Sequence, residues 1–215
     1  HQGEQVFAHR TEAVILRSVA RFRRPGGAIA AQIGGDGGLL RAALHVHAPE
    51  DRGLQGAITQ MPIFQNITLP SLARTSKNGF LRLAEEFKLA RDYTERLDLR
   101  AASLDSVVGN LSGGNQQKIV IGKWLSMHPN LLIVDEPTRG IDVGSKSEIH
   151  KLLRELAAQG YAVIVISSEM PEVLHVSDRI VAMYSGRIMR TFTSEEVTED
   201  NLIQAISGID GNKAA

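Results

Sequence analysis

The chain has no cysteine among its 215 residues. Disulfides, thiolate nucleophiles and cysteine zinc sites are thereby excluded, and the composition fits a reducing cytoplasm. Aromatic residues are scarce at 5%, too few for a surface that stacks on single-stranded nucleic acid. Neither sign of charge dominates, since Lys+Arg and Asp+Glu both total 24. A general nucleic-acid binder is usually basic, so this balance argues against a nucleic-acid partner. No apolar run approaches the ~18 residues of a bilayer-spanning helix, so any membrane role is expected to come through a partner protein. There is also no G-x-x-x-x-G-K-[ST] stretch, the backbone cradle that grips nucleotide phosphates. What remains is long enough to bury one sizeable core together with a small subdomain.

The chain reads as three stretches. Residues 1–47 form an atypical N-terminal region. Its short apolar run from Ala13 to Leu16 is followed by Arg17, Arg21, Arg23 and Arg24. Glu4 and Glu12 interrupt any transit-peptide pattern, so a solvated helix face or a strand edge is expected. Gly26, Gly27, Gly34, Gly35, Gly37 and Gly38 make the next part turn-rich. Residues from about 66 to 124 read as a helical subdomain, with residues 80–99 mixing Leu, Phe, Ala and paired charges without proline. From about 125 to 215 the pattern becomes α/β. Apolar runs at 131–134, 161–166 and 179–184 read as buried strands, with a further strand at 187–192 after a Ser185-Gly186 turn. Ile149, Leu152, Leu153 and Leu156 give one apolar helix face, with a capping-box pattern at Ser145 and Glu148 and a stop at Gly160. A closing helix is expected over 195–206. Alternating strands and helices point to a parallel sheet covered on both faces.

Two strings carry chemistry. LLIVDEPTRGIDVG at 131–144 is a short apolar run that ends in two acids. Such a strand places carboxylates at the carboxyl edge of a parallel sheet, where these folds bind ligands. Asp135 suits Mg²⁺, which takes a few hard oxygen ligands and keeps its waters. Glu136, one residue on, is placed to orient or deprotonate an attacking water. LSGGNQQK at 111–118 offers Ser112 as an N-cap and Gly113-Gly114 for close backbone approach to an anion at a helix N-terminus. Each string alone also reads as an ordinary helix cap beside a core element.

Together the strings resemble an ATP-binding-cassette (ABC) domain over about residues 48–208. LSGGNQQK, TRGIDVG, PEDR at 49–52 and SSEMPE at 167–172 are similar to the second, C-terminal cassette of bacterial monosaccharide importers of the ribose, galactose, xylose and rhamnose type. The resemblance implies an α/β, P-loop-NTPase-like cassette: a mostly parallel sheet flanked by helices, with an inserted helical subdomain, occupying 48–215. It implies ATP and Mg²⁺ as cofactors. Ser112, Gly113, Gly114, Asn115 and Gln116 would touch ATP held by a second cassette, and Asp142 would lie in the loop crossing that interface. Implied partners are that second cassette, membrane permease subunits facing the loop at 50–65, and indirectly a periplasmic sugar-binding protein. The implied location is cytoplasmic, peripheral on the inner face of the bacterial plasma membrane.

The sequence departs from the family pattern at three places. Glu50 stands where most cassettes have a Mg²⁺-sensing Gln, as is usual for this C-terminal type. Ser168 stands at the switch-His position; serine can hydrogen-bond a phosphate but carries no charge near neutral pH. The nearest glycine-rich candidate for a phosphate loop, at 32–41, has Leu39-Leu40 where a basic residue and a hydroxyl belong. His45 and His47, with no third ligand in view, are expected in a strand rather than at a metal. The chain therefore reads as half of an ATP site: a truncated, rearranged or eroded ATPase cassette, weak or inactive alone. The alternative is a non-hydrolytic cassette that lends its signature to a partner.

Overall fold

Turn chemistry and apolar spacing decide where each element begins. In this computed structural model, residues 56–129 and 131–209 are described with their side chains, and strands β1 (Ala13–Arg17) and β2 (Ala43–His47) by backbone alone. The chain divides into two compact units, Val19–Ile164 and a second made of His1–Ser18 with Val165–Ala215.

The first unit holds the helical subdomain and one parallel strand pair. Helix α1 spans Ile63–Thr68, α2 Leu72–Thr75, α3 Leu83–Arg96 and α4 Gly113–Leu125. Ile63, Ile67, Ala90, Ile119, Ile121 and Leu125 are fully buried where α1 packs on α3 and α4. The Phe64 and Phe87 rings stack at 4.3 Å. Residues 80–99 are not helical throughout. Phe80–Leu81 forms strand β4, paired antiparallel with β3 (Ser76–Lys77). The cause is the two-residue loop Asn78-Gly79, with φ of 52° and 83°. Positive φ at both loop residues is what a tight hairpin turn requires, and Asn-Gly supplies it at least cost.

Strand β5 (Leu131–Asp135) pairs parallel with β2, in register from Ala43 opposite Leu131 to His47 opposite Asp135. His45 and His47 are thus strand residues, as expected. Leu132 and Val134 are fully buried. Helix α5 (Val143–Ala158) follows and packs on α4. Its stripe of Ile149, Leu152, Leu153 and Leu156 is buried as the spacing predicts. The far end of α4 is held by three side chains. Tyr93 donates to the Leu125 carbonyl at 2.9 Å, Arg74 to that of Ser126 at 2.7 Å, and buried Lys123 to that of Gly56 at 2.9 Å. Burial pushes the Lys123 ammonium below its ordinary pKa.

Strand β6 (Ala162–Ser167) leads into the second unit, which contains α6 (Met170–Val176), β7 (Arg179–Tyr184), β8 (Arg187–Thr193) and α7 (Glu199–Ile206). Here the pairing departs from a parallel sheet: β1 pairs antiparallel with β7, and β7 with β8. For β7 and β8 the reason is local. Ser185-Gly186, with φ of 48° and 76°, closes a two-residue hairpin, whereas a parallel neighbour needs a crossover of a dozen or more residues. The Ala13–Leu16 run lies in β1. The last helix starts at 199 rather than 195 because Thr198 and Asn201 form a reciprocal capping box, with bonds of 3.2 and 2.9 Å. Among the described residues no helix is long and apolar enough to cross a membrane.

Candidate functional site

The signature string opens α4. Ser112 occupies the N-cap position, yet its side chain makes no capping bond. Its hydroxyl instead accepts from Asn115 Nδ2 at 3.0 Å, and Asn115 Oδ1 accepts from the Arg100 N–H at 3.2 Å. Gln116 Nε2 reaches back to the Leu111 carbonyl at 2.9 Å. Ser112 is exposed and Asn115 half-buried. The result is a helix N-terminus with its backbone donors and a serine presented outward, a geometry suited to an anion.

The expected cap of α5 lies elsewhere. Asp142, not Ser145, is the N-cap residue: Asp142 Oδ1 accepts from the Ser145 N–H at 2.9 Å, and Oδ2 from the Ser145 hydroxyl at 2.7 Å. Asp142 wins because an ionised carboxylate accepts two bonds at once where the helix dipole is positive. Glu148 turns to Lys118. The Ser145 hydroxyl, then its backbone N–H, hold the Asp142 carboxyl below the usual carboxylate range. A depressed folded pKa means stability present above the ordinary value of about 4 and lost as pH falls through the folded value. Asp142→Ala should therefore lower the urea midpoint at neutral pH, and the gap to the native chain should close on acidification. Midpoints that stay apart by a constant amount would contradict this.

Gly114 brings the two segments together. A Cβ there would lie 2.5 Å from Ser145 Oγ and 2.6 Å from Ser145 Cβ. No side chain fits, so the signature turn and the Asp142 turn are in direct contact only because residue 114 is glycine.

Asp135 ends β5 and Glu136 follows it with φ of 46°. A non-glycine residue in the left-handed region costs roughly 1–2 kcal/mol, and such strain collects at functional sites. Here it turns the chain sharply after the strand, with the Glu136 carbonyl accepting from Arg139 N–H at 3.2 Å. Pro137 and Thr138 are buried behind the turn. Among the described residues no group of three or more His, Cys, Asp or Glu is placed to hold a metal ion. One strand-end carboxylate beside phosphate and water oxygens is nonetheless a donor set that suits Mg²⁺. Glu50 and the glycine-rich stretch at 32–41 lie outside the described residues.

The family model described as ABC transporter matches residues 44–139, a span that contains LSGGNQQK and the LLIVDEPTR part of the second string. The chain belongs to the ATP-binding-cassette family. Among curated relatives, the cassette chain is 62% identical over 164 residues to the ribose import ATP-binding protein RbsA of Roseobacter denitrificans, covering 76% of this chain and 32% of that protein. It is 58% identical over 171 residues to RbsA 1 of Rhizobium meliloti, covering 80% and 34%. It is 48% identical over 160 residues to the xylose import ATP-binding protein XylG of Moorella thermoacetica, covering 74% and 32%. The chain spans about a third of the length of these relatives. Among solved structures, a post-hydrolysis dimer of an ATP-binding cassette with ADP and Pi superposes with TM-score 0.58 at 22% identity, covering 72% of this chain and 65% of that one. CbiO1 from Clostridium perfringens gives 0.58 at 26% identity, covering 72% and 58%.

In this cassette Ser168 is exposed, the first residue past β6. It lies in the second unit, where its neighbour Ser167 is buried and fixes the segment. Ser167 Oγ donates to Glu172 Oε2 at 2.5 Å and accepts from the Glu169 N–H at 3.0 Å. Three partnerships are not evident from the motifs alone: Ser145 with Asp142, Lys118 with Glu148, and Ser167 with Glu172. The last of these had a visible signal: an acid in the first turn of a helix opened by Met170-Pro171.

Proposed function

We propose that this chain is the C-terminal cassette, or part of it, of the ATP-binding subunit of a bacterial sugar importer. ATP binding and hydrolysis in the assembly drive carbohydrate uptake. The observation that carries this is the 62% identity over 164 residues to a ribose import ATP-binding protein. In this role Ser112, Gly113, Gly114, Asn115 and Gln116 meet the phosphates of ATP held by a second cassette, with Asp142 in the loop beside them. Asp135 would hold Mg²⁺, which when bound neutralises phosphate charge, with Glu50 as its second candidate. Glu136 would orient or deprotonate water, and Ser168 would hydrogen-bond phosphate. Permease subunits would receive the motion through the helical subdomain, and a periplasmic sugar-binding protein would deliver cargo. The chain would sit in the cytoplasm on the inner face of the plasma membrane.

The proposal sets two expectations for the purified chain. Alone, it should bind ATP weakly, because no G-x-x-x-x-G-K-[ST] loop supplies the main phosphate contacts. Calorimetric titration giving a micromolar constant would show otherwise. With a complete cassette added, ATP turnover should exceed that of either component alone. Turnover that stays at the sum of the two would sink the trans-acting signature. Robust turnover by the chain alone, abolished by Glu136→Gln, would instead exclude a purely regulatory role.

A further inference from the structure

Helices α4 and α5 are joined along one line by contacts that phosphate chemistry does not require. At its first point Gly114 meets Ser145 with no space for a side chain. One turn on, Lys118 is buried, its side chain 4% exposed. Its Nζ donates to Glu148 Oε2 at 2.9 Å and to the Asp98 carbonyl at 2.8 Å. Residues 114 and 118 are four apart on one helix, and 145 and 148 three apart on the other, so the two contacts line up along a shared face. Arg100 closes the set. Its guanidinium lies 3.5 Å from Glu148 Oε1, and its backbone N–H donates to Asn115 Oδ1 at 3.2 Å. A buried ammonium is costly unless it is both paired and hydrogen-bonded. Lys118 meets both conditions only while the signature helix, the Asp98 turn and α5 keep this one relative placement.

We propose that Lys118 is a positioning residue: it clamps the signature helix to the helix of the Asp142 loop, so both segments approach a partner's nucleotide as one piece. The proposal rests on the trans-acting role stated above, but its first test does not need nucleotide. The Lys118 hydrogen bond and charge hold the Glu148 carboxyl below its usual range, in line with a formed pair. By contrast, Lys151 and Glu155 face solvent at 3.8 Å, an exposed pair on the same helix that serves as a control.

The experiment uses the full chain. Amide hydrogen exchange without nucleotide reads the clamp at Ser145 and Lys146, whose N–H groups bond to Asp142. Lys118→Met should raise exchange there by about tenfold, the effect of losing one hydrogen bond to a charged group, while Lys151→Met leaves it unchanged. Lys118→Arg should retain most of the protection. If Lys118→Met does not fold, the double variant Lys118→Met/Glu148→Leu removes both charges and carries the same test. ATP-dependent association with a complete cassette is then measured, and Lys118→Met should weaken it by about tenfold, in step with the exchange. Unchanged exchange at Ser145 and Lys146 overturns the clamp. Raised exchange with undiminished association overturns its link to nucleotide approach. A native chain that never associates in ATP overturns the trans-acting role itself, and the exchange result then decides the clamp alone.

Discussion

Ser112→Arg should lower ATP turnover of the assembly with a complete cassette by roughly 10²–10³-fold, the scale seen when one donor to a developing oxyanion is lost. The chain itself should stay folded. Ser112 is exposed, its hydroxyl makes no helix cap, and its single described bond is to Asn115. Surface changes of this kind usually move stability by about 0.5 kcal/mol or less. An arginine at that position would fill the space a γ-phosphate must enter, and its bulk would keep the phosphate from the backbone donors of α4. Two measurements separate the effects: turnover of the assembly, and thermal unfolding of the variant alone. Native turnover with Ser112→Arg would remove Ser112 from the site. A large fall in melting temperature would mean that the residue is structural.

Leu153→Ala should destabilise the first unit by about 3 kcal/mol, within the 2–5 kcal/mol range for buried leucines. Leu153 is fully buried, flanked along the stripe by Ile149 and Leu156, which are equally inaccessible. Truncation removes apolar contacts and leaves a cavity that helix neighbours on both sides prevent from collapsing. Against a total of roughly 5–15 kcal/mol this is a large loss, and it should lower the melting temperature by roughly 6–12 °C. Lys151→Ala, two residues earlier on the solvent face, should leave it nearly unchanged. Equal melting temperatures for Leu153→Ala and the native chain would refute the burial of that stripe.

Elements specified by local rules were legible in the sequence. The α5 stripe, β5, β7 and the Ser185-Gly186 turn all follow from apolar period and turn chemistry within a dozen residues. The misplacements have one kind of cause. Asp142 displaced Ser145 as cap, Asn78-Gly79 turned Phe80 into a strand, and Thr198 delayed the last helix. In each case one short polar side chain or turn pair outweighed a broader pattern. Long-range partners were not legible. Nothing local says that Gly114 must be glycine because of Ser145, or that Lys118 reaches Glu148 thirty residues away. Such pairs depend on how α4 and α5 pack, and spacing within one helix carries no record of its neighbour.

Tyr93, Arg74 and Lys123 all grip carbonyls at one end of α4 or the segment beside it, while Ser112 stands at the opposite end. The helix is then a crank pinned at its base. Its 13 residues span about 20 Å at 1.5 Å per residue. A tilt of about 5° at the pinned end carries Ser112 through about 1.7 Å over that length. That is the difference between a hydrogen bond and none, so a small rotation that carries α4 and the clamped α5 together suffices to engage or release whatever the signature holds.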